Sequence, residues 1–159
     1  MHSAKANFKK ANDSFSAGNY QQAIEEYSLA IASNPDYIVA YINRGNAYFQ
    51  LAQYFSAAND YSKVISLNPK HVRAYYNRAL AKRFLNKFEE AIEDYTSAIN
   101  LDVNCVDAYV NRGFAKAKLG RYQQGIDDYL KALALNPNCA EAKQNIRVAN
   151  IQLNKINTQ

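Results

Sequence analysis

Gly18-Asn-Tyr-Gln-Gln-Ala-Ile-Glu-Glu-Tyr-Ser-Leu-Ala-Ile-Ala-Ser-Asn-Pro35 returns 34 residues later as Ala52-Gln-Tyr-Phe-Ser-Ala-Ala-Asn-Asp-Tyr-Ser-Lys-Val-Ile-Ser-Leu-Asn-Pro69. It returns twice more, as Asn86–Val103 and Gly120–Pro137. The blocks 4–37, 38–71, 72–105 and 106–139 therefore align without a gap. A fixed period of this length means a stack of one supersecondary unit. What recurs at each 34th position serves the stack. What varies is free to serve a partner.

The recurring marks are specific. Internal position 4 carries an aromatic (Tyr41, Tyr75, Tyr109), and position 8 a small residue (Ala11, Gly45, Ala79, Gly113). Position 17 carries an aromatic (Tyr20, Tyr54, Phe88, Tyr122), and position 20 a small residue (Ala23, Ala57, Ala91, Gly125). Tyr27, Tyr61, Tyr95 and Tyr129 hold position 24, and Pro35, Pro69 and Pro137 hold position 32. This pattern resembles the tetratricopeptide repeat (TPR) family. The resemblance implies an all-α, right-handed α-solenoid of four helix-turn-helix repeats. Two departures stand out: Asn7 replaces the first block's aromatic, and Val103 replaces the third block's proline.

Each block predicts two antiparallel helices, over internal positions 2–14 and 18–30. Glycines at Gly18 and Gly120 suit the turn after the first helix. The residue before a proline avoids the helical region, so Asn34, Asn68 and Asn136 end the second. After Cys139 a further helix over 140–157 is predicted. Its apolar residues Ala142, Ile146, Ala149, Leu153 and Ile156 keep a 4-3-4-3 spacing. It reads as a cap on the fourth hairpin, while the first hairpin is left uncapped.

Composition narrows the function. With 48% hydrophobic residues and a net charge of +5, the chain is neither disordered nor membrane-spanning, and no apolar run approaches ~20 residues. Nucleic acid is not the expected partner, because no dense basic run appears. Met1–Lys5 shows no apolar signal region, which points to a cytoplasmic protein. Cys105 and Cys139 share one internal position, so one helix layer (~8–10 Å) separates them, beyond the ~7 Å a disulfide allows. Neither a disulfide nor a metal site is expected. The five glycines serve turns and packing, and no nucleotide loop or Ser/His/acid set exists. The expectation is a binding module, with no catalytic activity and no cofactor.

At 100° per residue, positions 3, 4, 7, 8, 10 and 11 of each first helix share one sector. Positions 2, 5, 9, 12 and 13 share the opposite sector, and their residue types change from block to block. The resemblance implies that this second sector lines a peptide-binding groove. It holds Phe8, Asn12, Phe15, Ile42, Asn46, Phe49, Arg73, Tyr76, Leu80, Arg83, Phe84, Val110, Phe114 and Lys118. Aromatics outside a core commonly mark interaction sites. At the groove margin, Asn43, Asn77 and Asn111 recur at position 6. Amides offer donor and acceptor together, so such a row resembles the asparagine ladder that holds an extended polypeptide by its backbone. Arg44, Arg78 and Arg112 share the period of Asp60, Asp94 and Asp128, and are read as intra-hairpin ion pairs.

One TPR subfamily clamps the terminal carboxylate of chaperone tails. At its matching positions this chain carries Phe8, Asn12, Asn43, Arg73 and Asn77. Asn12 and Asn43 match, Arg73 is conservative, and Phe8 and Asn77 lack the expected cations. The reading is a protein–protein interaction scaffold, binding an extended segment with apolar and some acidic residues. Its rivals are self-assembly into a homo-oligomer through the repeat ends, a chaperone-tail adaptor, and an RNA-binding module.

Overall fold

The computed structural model describes residues 3–157. Met1, His2, Thr158 and Gln159, and with them part of the expectation about the N-terminal leader, lie outside the described residues. Among the described residues the chain is all helix and belongs to the α-solenoid class. Two compact units divide it at Leu85/Asn86. The first contains α1 (Ala4–Ser16), α2 (Tyr20–Ser33), α3 (Ile38–Gln50), α4 (Tyr54–Leu67) and α5 (Val72–Phe84). The second contains α6 (Phe88–Leu101), α7 (Val106–Lys118), α8 (Tyr122–Leu135) and α9 (Ala140–Asn157). No described helix is long and apolar enough to cross a membrane.

The helix breaks have local causes. Gly18, Ala52, Asn86 and Gly120, all at internal position 15, take positive φ of 78°, 56°, 58° and 76°. Glycine adopts this region freely, whereas Ala52 is strained there. At the other turn the Oδ1 atoms of Asn34, Asn68, Asp102 and Asn136 each accept the amide N–H two residues on, at 3.0–3.3 Å. Asp102 thus closes the third turn without a proline, since this side-chain turn needs only an Asn or Asp.

Packing within hairpins follows from the small residues. A Cβ on Gly45 would lie 2.8 Å from the Tyr61 ring, so α3 and α4 meet where no side chain fits. Gly113 and Gly125 bring α7 and α8 equally close. The rings of Tyr27, Tyr61, Tyr95 and Tyr129 are no more than 1% exposed. The tyrosines at positions 4 and 17, expected in the core with them, are only half-buried.

Charge pairing joins α1 to α2, α3 to α4 and α7 to α8. Arg44 donates from Nε and Nη2 to Asp60 at 2.8 and 2.7 Å, and from Nη1 to the Ser28 hydroxyl at 2.9 Å. Arg112 repeats this with Asp128 and Thr96, and Lys10 pairs with Glu26. The acids of these pairs are deeply placed: Glu26, Asp60 and Asp128 are 4–5% exposed. Each such arginine therefore also stitches one hairpin to the preceding one.

In α9, Ala142 and Ala149 are buried and Ile146 packs with Val110, Tyr129 and Ala132. The expected stripe stops early, however, and Ile156 is 59% exposed. The 18-residue α9 is ~6 Å longer than the 14-residue α8, so its last turn overhangs its partner. Val110, expected on the groove face, is instead 2% exposed, because Ala142 and Ile146 of α9 pack over it.

Candidate functional site

In the N-terminal unit, the faces of α1, α3 and α5 share a recess of about 180 Å³. Phe15, Asn46, Phe49, Asn77 and Leu80 line it, with Gln50 and the edge of Tyr61. The helical period places these residues together, since internal positions 6, 9, 12 and 13 fall on adjacent turns of one face.

The asparagines here are engaged with one another. Asn12 Oδ1 accepts from the Tyr27 hydroxyl at 2.6 Å and from Asn43 Nδ2 at 3.0 Å. Asn46 Oδ1 accepts from the Tyr61 hydroxyl at 2.8 Å and from Asn77 Nδ2 at 3.4 Å. Burial pushes the Tyr27 and Tyr61 hydroxyls up from their ordinary pKa, so both are donors at neutral pH. Each amide pair leaves the Oδ1 of Asn43 or Asn77 without a described donor. In the C-terminal unit Asn111 donates to the Asp107 carbonyl oxygen at 2.9 Å.

The aromatics separate into two kinds. Phe8 packs against Tyr27 and Tyr37, with centroids at 5.7 and 4.9 Å, and is part of the α1–α3 packing. Phe49 and Phe84 meet edge to face at 5.4 Å, and Phe84 stacks on Tyr54 at 4.7 Å while remaining 46% exposed. Arg83 lies over the Phe84 ring at 4.9 Å. Ile42 and Tyr76 are half-buried and Arg73 is exposed. Lys118 lies over the half-buried Phe114 ring at 5.3 Å.

The C-terminal unit has its own recess of about 370 Å³, bounded by α7, α8 and α9. Phe114 and Lys118 line it, as expected, but so do Tyr122, Asn145, Val148 and Gln152. Sequence reasoning missed the α9 contributors. A signal existed: Asn145 stands 34 residues after Asn111, on the same register as Asn43 and Asn77. Tyr54 was also missed as an aromatic partner, because its row reads as core. Among the described residues no cluster of His, Cys, Asp or Glu could hold a metal ion. Cys105 and Cys139 are half-buried free thiols, and burial raises Cys105 above the ordinary thiol range.

A family model described as tetratricopeptide repeat matches residues 106–139, and one described as TPR repeat matches 11–52, 45–82 and 83–120. The TPR domain of Arabidopsis OM64 is 34% identical, with a TM-score of 0.69 over 71% of this chain and 93% of that one. The first TPR domain of Spaghetti (RPAP3), solved with the HSP90 peptide SRMEEVD, is 31% identical, with a TM-score of 0.71 over 73% and 92%. A MamA crystal structure is 21% identical, with a TM-score of 0.92 over 95% and 82%, a likeness of fold alone. No curated protein sequence matches.

Proposed function

Since the chain belongs to the tetratricopeptide repeat family, we propose that it is a non-enzymatic protein-interaction module. Its groove face holds an extended segment of a partner protein. The observation that carries this reading is the recess of the N-terminal unit, where Asn46 and Asn77 adjoin Phe49 and Leu80. Amides beside apolar rings match a peptide backbone flanked by apolar side chains. The functional units are the hairpins 4–37, 38–71, 72–105 and 106–139, with 140–157 as the cap. Asn111, Phe114 and Lys118 offer recognition groups of the C-terminal unit, and Arg73 and Arg83 suit scattered acids on the ligand. The free thiols support a reducing compartment such as the cytoplasm.

The 31% identical TPR domain was solved with a chaperone-tail peptide. This chain has Phe8 and Asn77 where the carboxylate-clamping subfamily has cations, and Phe8 is packed against Tyr27 and Tyr37. A terminal carboxylate relies on charge-assisted donors, so an internal segment fits better than a chain end. Calorimetric titration tests this with SRMEEVD and with an amidated peptide rich in phenylalanine and aspartate. The expected result is binding of the amidated peptide, weakened by Phe49→Ala and Asn77→Ala. Binding of the free-carboxylate peptide alone overturns the internal-segment reading, and binding of neither overturns the groove reading.

A further inference from the structure

In the N-terminal unit, one asparagine oxygen serves two donors. Asn12 Oδ1 takes the hydrogens of Tyr27 and Asn43, and Asn46 Oδ1 takes those of Tyr61 and Asn77. The same two donors recur at the far end of the C-terminal unit. Tyr129 and Asn145 are sixteen residues apart, as are Tyr27 and Asn43, and Tyr61 and Asn77. The residue in register with Asn12 and Asn46 is, however, Phe114. A phenyl ring supplies no oxygen. Neither the Tyr129 hydroxyl nor the Asn145 amide bonds to any described residue, and both residues border an open recess.

Both donors line the 370 Å³ recess between α7, α8 and α9. Phe114, Tyr122 and Val148 give it apolar walls, and 300–1,000 Å³ is the usual size of a ligand pocket. Lys118 lines it too, and makes no ion pair among the described residues. The acids near Tyr129 do not cancel this charge: Asp128 is held by Arg112 and Lys116, and Glu141 is exposed and does not line the recess. Burial keeps the Tyr129 hydroxyl protonated well beyond neutral pH, so it acts as a donor.

We propose that this recess is a discrete site for an acidic–apolar pair of residues in a partner peptide. A carboxylate oxygen takes the place of the missing asparagine oxygen, accepting from Tyr129 and Asn145. Lys118 supplies the countercharge, and the adjacent apolar side chain packs between Phe114, Tyr122 and Val148. The inference rests on the peptide-binding reading above and names what the C-terminal unit selects.

The test is an amide-resolved NMR titration of the full chain with acetyl-Gly-Phe-Asp-Gly-amide. Shifts are expected at Lys118, Asn145 and Gln152, and replacing the peptide's aspartate by asparagine should weaken binding about fivefold, the difference between a charge-assisted and a neutral contact. Phe114→Asn restores the internal acceptor and should abolish these shifts. Tyr129→Phe removes only the hydroxyl and should weaken them while leaving the helical spectrum unchanged. Absence of shifts at these amides overturns the site, as does binding indifferent to both Phe114→Asn and the aspartate. Shifts confined to Asn46, Phe49 and Asn77 would overturn the site yet leave the groove reading standing.

Discussion

Replacing Arg44 by methionine tests what holds the hairpins in register. Arg44 makes three hydrogen bonds of 2.7–2.9 Å, two to Asp60 and one to Ser28, and its side chain is only 18% exposed. Methionine keeps most of the apolar stem but leaves the carboxylate of Asp60, itself 5% exposed, without its partner. Breaking a buried pair from one side costs about 3–5 kcal/mol. The assay is urea unfolding followed by helical circular dichroism. The double variant Arg44→Met/Asp60→Leu should recover most of the loss, because no buried charge remains. The pH dependence has a definite sign. Burial raises the Asp60 carboxyl and the Arg44 hydrogen bonds lower it. Without Arg44, burial acts alone and the folded pKa rises further above the unfolded one. Stability is then fully present below the unfolded pKa and lost as pH climbs through the folded one. The deficit of Arg44→Met should therefore shrink on acidification from neutral pH. A loss below about 1 kcal/mol, the value of an exposed pair, or a double variant no better than the single one, would refute the reasoning.

Three further outcomes are expected. Ala52→Gly should stabilise the chain by about 1 kcal/mol in the same unfolding assay, since φ is 56° there and glycine relieves the left-handed strain. Gly113→Ala should cost about 1–3 kcal/mol, because the new Cβ would meet the Tyr129 ring at 2.7 Å and the Gly125 carbonyl oxygen at 2.9 Å. Tyr61→Phe should cost about 1 kcal/mol by removing the 2.8 Å bond to Asn46, and NMR should show the Asn46 and Asn77 amide groups perturbed together.

Much of the fold was legible because it is written four times. The Asp102 turn shows why one departure from the pattern was harmless: the side-chain turn, not the proline, is the common element. The arginine–aspartate pairing could be read from matching periods, but not its depth, which depends on how closely the small residues at Gly45 and Gly113 let the helices approach. The groove face was legible as a sector of variable residues. Its occupancy was not. Phe8 fell on that sector yet packs inward, and Val110 fell there yet lies beneath α9.

By itself, then, the sequence determined the helices, their turns, the small-residue packing rows and the paired charges, because each depends on local geometry repeated every 34 residues. Only the tertiary structure decided which polar groups are left for a ligand. Asn12 and Asn46 are consumed by tyrosines from the neighbouring helix, whereas Phe114 leaves Tyr129 and Asn145 without that acceptor. That difference arises where three helices meet, and a hydrogen bond's fate is fixed by what packs against it rather than by its own place in the chain.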